Sequence, residues 1–417
     1  MKDLPEQQAH KAADAAVDKK KFLMLFILFC SQLTFGQTLP QDEIQANFSG
    51  YFDNFSVNVL YPSVSLTHHI SNSTSFSGRY LVDMITAASI KSNSTSSSST
   101  PNTDNEIGKS HSGSIDAITS ASSRAGGEEF SKPIFDDVRN EFNVGLTHLM
   151  GKSLLTVNGI YSTEKDYTSN TLAGTFQQYF AENNTSLQIG FVKSWDEIYP
   201  KTKSWTKKKN VFTLSANFSQ ILSKNFIFQI LGSYSKNAGL LADVYEQVTL
   251  NDGTVTDPVH PDTRIRKSSA VKLKFRISSS SSIETGYRYY WDSWNIKSNT
   301  VNITYMKYIS KHTIMSLGLR NYAQTRAFFF KPTYTADDLY KSVDIKLDSG
   351  HSTEYQIGFT ILGGDRQHSL PFLDDDRMEY DFNINFYSRH STTPYWYNGK
   401  NGLFATNINL GFRYRLR

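Results

Sequence analysis

The chain has one cysteine, Cys30, in 417 residues, so neither an intramolecular disulfide nor a cysteine-built metal centre can form. It has no apolar run of the roughly 18 residues that a spanning helix requires, and its mean hydropathy is negative. Charge of neither sign dominates. Lys plus Arg number 43 against 39 Asp plus Glu, and the two signs are interspersed along most of the chain, so nothing in it demands a nucleic-acid partner. No Gly-x-Ser-x-Gly elbow and no His-Glu-x-x-His pair occurs, so no enzymatic activity, resident metal or cofactor is expected.

What the chain does have is aromatics, 23 Tyr and 28 Phe, in a background that is polar on average. Alternation reconciles the two. Val271, Leu273, Phe275 and Ile277 interleave with Lys272, Lys274 and Arg276; Ile283, Tyr287, Tyr289 and Trp291 interleave with Glu284, Gly286, Arg288 and Asp292. The same period of two runs through 354–361 and 379–386, and less cleanly through 76–84, 142–148, 211–219 and 226–234. Period two marks strands with one apolar and one polar face. A soluble sandwich would show it too, but three features favour a membrane barrel. The strands are long enough for a tilted crossing. Tight connections (71–74, 151–152, 222–225, 279–282, 310–311) alternate with long ones (86–138, 237–267, 329–350), as short periplasmic turns alternate with external loops. Aromatics gather towards strand ends at Tyr289–Trp291 with Trp294, Phe328–Phe330 and Tyr395–Tyr397, as interfacial girdles do. Tight turns share one side only if further strands lie near 45–56 and 169–181. The expected fold is therefore all-β, a single antiparallel transmembrane barrel of roughly 16 strands (14 to 16), with both ends periplasmic.

The N-terminal region reads as an address. Lys19–Lys21 precede the apolar stretch Phe22–Phe29, and Gly36 offers a small residue at the cut, the order of a signal peptide. Residues 1–36 are expected to be a polar extension plus a cleaved signal, leaving 37–417 as the barrel. At the other end Thr406, Ile408, Leu410, Phe412, Tyr414 and Leu416 form one face against Asn407, Asn409, Gly411, Arg413 and Arg415. The Gly411, Phe412, Tyr414 pattern resembles the assembly signal of outer-membrane barrels, with Arg417 where a terminal aromatic is usual. The expected partners are outer-membrane lipid, lipopolysaccharide and the barrel-assembly machinery, with a periplasmic partner left open.

Two strings echo one another, VDMITAAS at Val82–Ser89 and IDAITSAS at Ile115–Ser122, across a Ser/Thr-rich stretch too polar to order itself. Together with RNE at Arg139–Glu141 and STEKDYTS at Ser162–Ser169, they make the chain resemble the bacterial outer-membrane barrels grouped as domain of unknown function 3570, from about Tyr51 onwards. That resemblance implies an outer-membrane barrel from a Bacteroidetes-like organism and supplies no catalytic residues.

If the faces are assigned correctly, the lumen is lined by Arg79, Asp83, Lys272, Lys274, Arg276, Glu284, Arg288, Asp292, Arg320, Arg326, Glu354, Glu379, Asp381, Arg413 and Arg415. Unpaired cations there would favour anionic solutes, whereas pairs of opposite sign would brace the wall. A channel for small, anionic solutes and a non-conducting scaffold that docks a partner both remain open. Two readings of the echo stay open: a pair folded into the pore mouth that presents Asp83 and Asp116 to an ion or substrate, or strand ends with fortuitous similarity. Asp374–Asp376, with Asp365 nearby, suits a solvated turn better than a cation site. The basic loop Lys201–Lys209 with Trp205 could reach lipopolysaccharide phosphates or simply be soluble. His68 and His69 point to opposite sides of a strand and do not make a shared metal site.

Overall fold

The computed structural model describes residues 39–54, 57–86, 137–364, 374–393 and 402–416. The expected signal peptide, Cys30, Asp116, Asp365, the Ser-rich stretch and Tyr395–Tyr397 lie outside them. The strands are β1 (Glu43–Asp53), β2 (Asn58–Leu60), β3 (Ser63–Ser71), β4 (Thr74–Thr86), β5 (Asp137–Met150), β6 (Ser153–Thr163), β7 (Tyr167–Phe180), β8 (Thr185–Ile198), β9 (Lys207–Ser223), β10 (Phe226–Gly239), β11 (Val248–Thr249), β12 (Val255–Thr256), β13 (Thr263–Arg276), β14 (Ser281–Asp292), β15 (Lys297–Tyr308), β16 (Thr313–Gln324), β17 (Gly350–Leu362), β18 (Met378–Ser391) and β19 (Gly402–Arg415).

Every wall strand pairs antiparallel with its neighbour, and β1 pairs with β19 from Glu43 opposite Arg415 to Asp53 opposite Ala405, which closes the sheet. Short β2 and longer β3 share one lane between β1 and β4. They part at Tyr61-Pro62, because proline has no N–H for the ladder, yet the Pro62 carbonyl still accepts from Val82 N at 3.1 Å. The wall is thus a closed barrel of sixteen strands. With strands about 4.8 Å apart and tilted by about 40°, such a cylinder has a backbone radius of about 16 Å. Closure leaves no unpaired edge, the condition for crossing hydrocarbon with strands.

Register sorts every side chain to one of two faces. Val64, Phe142, Val144 and Ile189 are about half exposed (55%, 49%, 54% and 51%) and all point outwards. A sandwich would bury this face; here the apolar band looks out all round, as lipid demands. The inward face is short and polar: Ser65, Ser77, Asn143, Asn158, Asn302, Asn383 and Asn409, with glycines at Gly145, Gly286, Gly358 and Gly411.

Two long connections, 240–262 between β10 and β13 and 325–349 between β16 and β17, fold over one end of the barrel and carry its apolar core. Phe329, Phe330, Trp294, Ile296, Ile345 and Leu347 cluster with Tyr51, Ile85, Leu403 and Ala405 of the wall. This corrects the girdle reading of two aromatic groups. Tyr289 and Trp291 do face outwards, stacked at 5.5 Å, but Trp294 (3% exposed), Phe329 (5%) and Phe330 (6%) are buried in the mouth. Their partners come from strands remote in sequence.

Candidate functional site: the lumen and its mouth

At the tight-turn end, ion pairs lock the seam where first and last strands meet. Arg413 reaches Glu379 at 2.7 Å and Glu43 at 3.3 Å, and Arg415 reaches the other oxygen of Glu379 at 2.8 Å, so four charges span β18, β19 and β1. Asp381 accepts from Thr360 Oγ1 at 2.6 Å. Further round, Arg320 meets Glu354 at 3.4 Å, Lys272 meets Glu284 at 2.7 Å, and Arg79 pairs with Glu141. Most of the lumen charges expected from the sequence are therefore paired across neighbouring strands. Asp381, with no cation within 4.0 Å among the described residues, and the cations Lys274, Arg276 and Arg288 are the exceptions. The three cations are exposed, and among the described residues none of them has a carboxylate within 4.0 Å.

Two of the expected lumen residues, Asp83 and Asp292, face inwards but are shielded from the open lumen, and a third, Arg326, lies off the wall. Asp83 is buried on the inward face against Arg139, which also approaches Glu164 at 3.9 Å. Asp292 terminates β14: one oxygen accepts from the N–H groups of Trp294 and Ile296 (both 2.9 Å), the other from Arg264 and Tyr290. It shapes the β14–β15 turn. Arg326 is not on a strand but in the 325–349 connection, where its Nε donates to Asp348 at 2.6 Å. Burial works against the Asp348 charge, but hydrogen bonds from Ser391, Thr393 and Arg326 hold its carboxyl below the usual value. Gly411 faces inwards, whereas Phe412 and Tyr414 face outwards, Phe412 against Tyr380 at 5.5 Å.

The mouth is tied by backbone as well as side chains. Val259 and Lys341 exchange two hydrogen bonds of 2.9 Å, Asn251 N donates to Tyr334 O at 2.9 Å, and His260 Nε2 lies 2.8 Å from Ser342 Oγ, so the two connections dock on each other. Gln324 Nε2 donates to Lys346 O at 2.7 Å and Arg389 to Ile345 O at 3.4 Å, which anchors them to the wall. A titratable cluster sits between them. Burial, with the charges of Asp344 and Asp166, pushes Asp243 up to about 6 against the Tyr245 N–H and Lys346. Burial likewise raises Glu246 well above its usual range, helped by Asp243 and Asp344. His260 is lowered, again chiefly by burial.

None of Phe329, Asp243, Glu246, Asp348 and Arg139 stood out from the sequence as a mouth residue. One signal was available: an external loop that carries Phe328–Phe330, Ile345 and Leu347 is too apolar to lie in water. In the acidic turn Asp375 is held by Arg377 Nε at 2.8 Å. His68 and His69 meet after all, on the carboxylate of Asp42 (3.2 and 3.1 Å), because the segment before β1 crosses the end of β3.

A family profile described as "Protein of unknown function (DUF3570)" matches residues 31–205 and 191–406. The chain belongs to this family. A comparison with curated proteins gives no match. Among solved structures, a bacterial polysaccharide outer membrane secretin is 8% identical, with 90% of this chain and 99% of that chain covered and a TM-score of 0.47. The loop L8 deletion mutant of OmpT, an outer membrane protein of Vibrio cholerae, is 10% identical over 90% and 99%, with a TM-score of 0.42. CdiB from Acinetobacter baumannii is 7% identical over 90% and 61%, with a TM-score of 0.46. The assignment of the wall rests on its own register.

Proposed function

We propose that this member of the family is a pore for small hydrophilic solutes in a bacterial outer membrane, narrowed at its long-loop mouth and mildly selective for anions. The observation that carries this reading is the wall below the mouth. Apart from the charged residues above, its inward face is largely glycine and short polar side chains, where a packed core would need apolar bulk. Lys274, Arg276 and Arg288 supply the excess positive charge. On this reading the tight-turn end, with both ends of the barrel, faces the periplasm.

The test is planar-bilayer conductance with reversal potentials in a salt gradient, on the full mature barrel and on a variant lacking residues 90–114. Stable openings with an anionic reversal potential support the pore. A second reading, a braced barrel that serves as a scaffold, draws on the paired charges from Glu43 to Arg415 and Lys272 to Glu284. Silence of both chains favours it.

A further inference from the structure

The outward wall is not uniform around its circumference. Register turns Lys193 of β8, Lys208 of β9, Lys236 of β10, Lys267 of β13 and Lys297 of β15 to the outside, each near the long-loop end of its strand. Lys208 has Glu197 at 3.5 Å; among the described residues no carboxylate lies within 4.0 Å of the other four. At the same level on the remaining strands no lysine or arginine faces outwards; Asn140, Tyr161, Asn170, Ala323, His351, His390 and Phe404 stand there. The cationic arc spans six of the sixteen wall strands, β8 to β10 and β13 to β15, and the other ten carry none.

An ammonium group is tolerated on a lipid-facing wall only where the hydrocarbon gives way to headgroups. Outward aromatics mark the same level: Lys193 Nζ sits 5.6 Å over the Trp195 ring, and Trp291 stands between Lys267 and Lys297 in register. Spacing suits a shared ligand. Lys193 and Lys236 are two strands apart, about 10 Å, and Lys236 lies diagonally from Lys267 at about 7 to 8 Å. Two such side chains can converge on one phosphate, and their long stems lie along the aromatic band.

We propose that the outward face of β8 to β15 is a docking surface for membrane lipids with phosphomonoester headgroups, so that the barrel gathers anionic lipid on one side. This rests on the reading of the chain as a membrane barrel but not on its conductance. In neutral detergent, native mass spectrometry of the full barrel with phosphatidic acid or phosphatidylcholine should show phosphatidic acid retained about ten-fold more strongly. Joint Lys→Gln changes at Lys193, Lys236, Lys267 and Lys297 should abolish that preference, while the same changes at Lys152, Lys224, Lys307 and Lys311 of the tight-turn end should leave it intact. Survival of the preference in the first variant, or equal loss in both, overturns the proposal. Displacement of the lipid by millimolar inorganic phosphate also overturns it, in favour of a free-anion site. Conductance separates this proposal from the pore: a barrel that is silent yet keeps the lysine-dependent preference loses the pore and retains the docking surface.

Discussion

Phe329→Ala should unlatch the mouth without weakening the wall. The Phe329 ring packs on Trp294 (5.1 Å), His260 (5.5 Å) and Tyr340 (5.7 Å), and its side chain makes no part of the barrel ladder. Truncating a buried phenylalanine costs about 3–5 kcal/mol, and the loss falls on docking of the 325–349 connection. Taking the lower figure, the ratio of docked to undocked mouth falls on the order of a hundredfold. Single-channel recording should then show longer openings or a larger unitary conductance, and near-ultraviolet circular dichroism should lose aromatic signal. Phe328→Ala is the control, since that ring is 54% exposed and its removal leaves the cluster filled. If Phe329→Ala keeps parental conductance and instead lowers the temperature at which the barrel unfolds, the cluster braces the wall, and the reasoning fails.

The acidic cluster predicts a pH dependence of the same docking. Asp243, raised to about 6 from 3.8, stabilises the docked mouth fully below pH about 4, and this contribution is lost as pH rises through 6; His260, lowered by burial, acts oppositely below 6.5. Asp243→Asn should therefore reduce open probability at pH 7.5 by up to about 2–3 kcal/mol of docking free energy and flatten the dependence between 4 and 6; an unchanged profile would refute it. Arg139→Ala removes the cation beside the buried Asp83 and should cost about 3–5 kcal/mol, seen as a lower onset of the heat-induced gel-mobility shift of the unboiled barrel. Arg288→Ala should leave that onset in place and shift the reversal potential towards cations. Gly239, at φ +115 and with its missing Cβ only 2.1 Å from the Lys208 carbonyl oxygen, should not accept alanine without losing about 2 kcal/mol by the same gel assay.

Much of the barrel is legible in the linear chain because a strand's side chains alternate locally. Lys272 and Leu273 announce opposite faces with no knowledge of their neighbours, and Gly151-Lys152 or Ser310-Lys311 announce a turn by themselves. Barrel parity then placed strands near β1 and β7, where the alternation is weak. The pairing of those charges is another matter. Lys272 and Glu284 become partners through one hairpin, but Arg413 and Glu43 meet only because the sheet closes on itself.

The mouth was decided wholly by tertiary structure. Period two says nothing outside a strand, so Phe328–Phe330 read equally well as a girdle. Whether those rings turn to lipid or to the lumen depends on Trp294, Ile345, Tyr51 and Ile85 being within reach, and these come from four separate stretches of chain. Asp243 and Glu246 carry nothing unusual in sequence; burial between two docked connections is what moves their protons. Composition and alternation thus determined a closed barrel with a greasy outside and a polar inside, since both follow from backbone geometry and solvent. The closed seam, the lid and its titration depended on contacts between distant segments, which only the assembled barrel brings together.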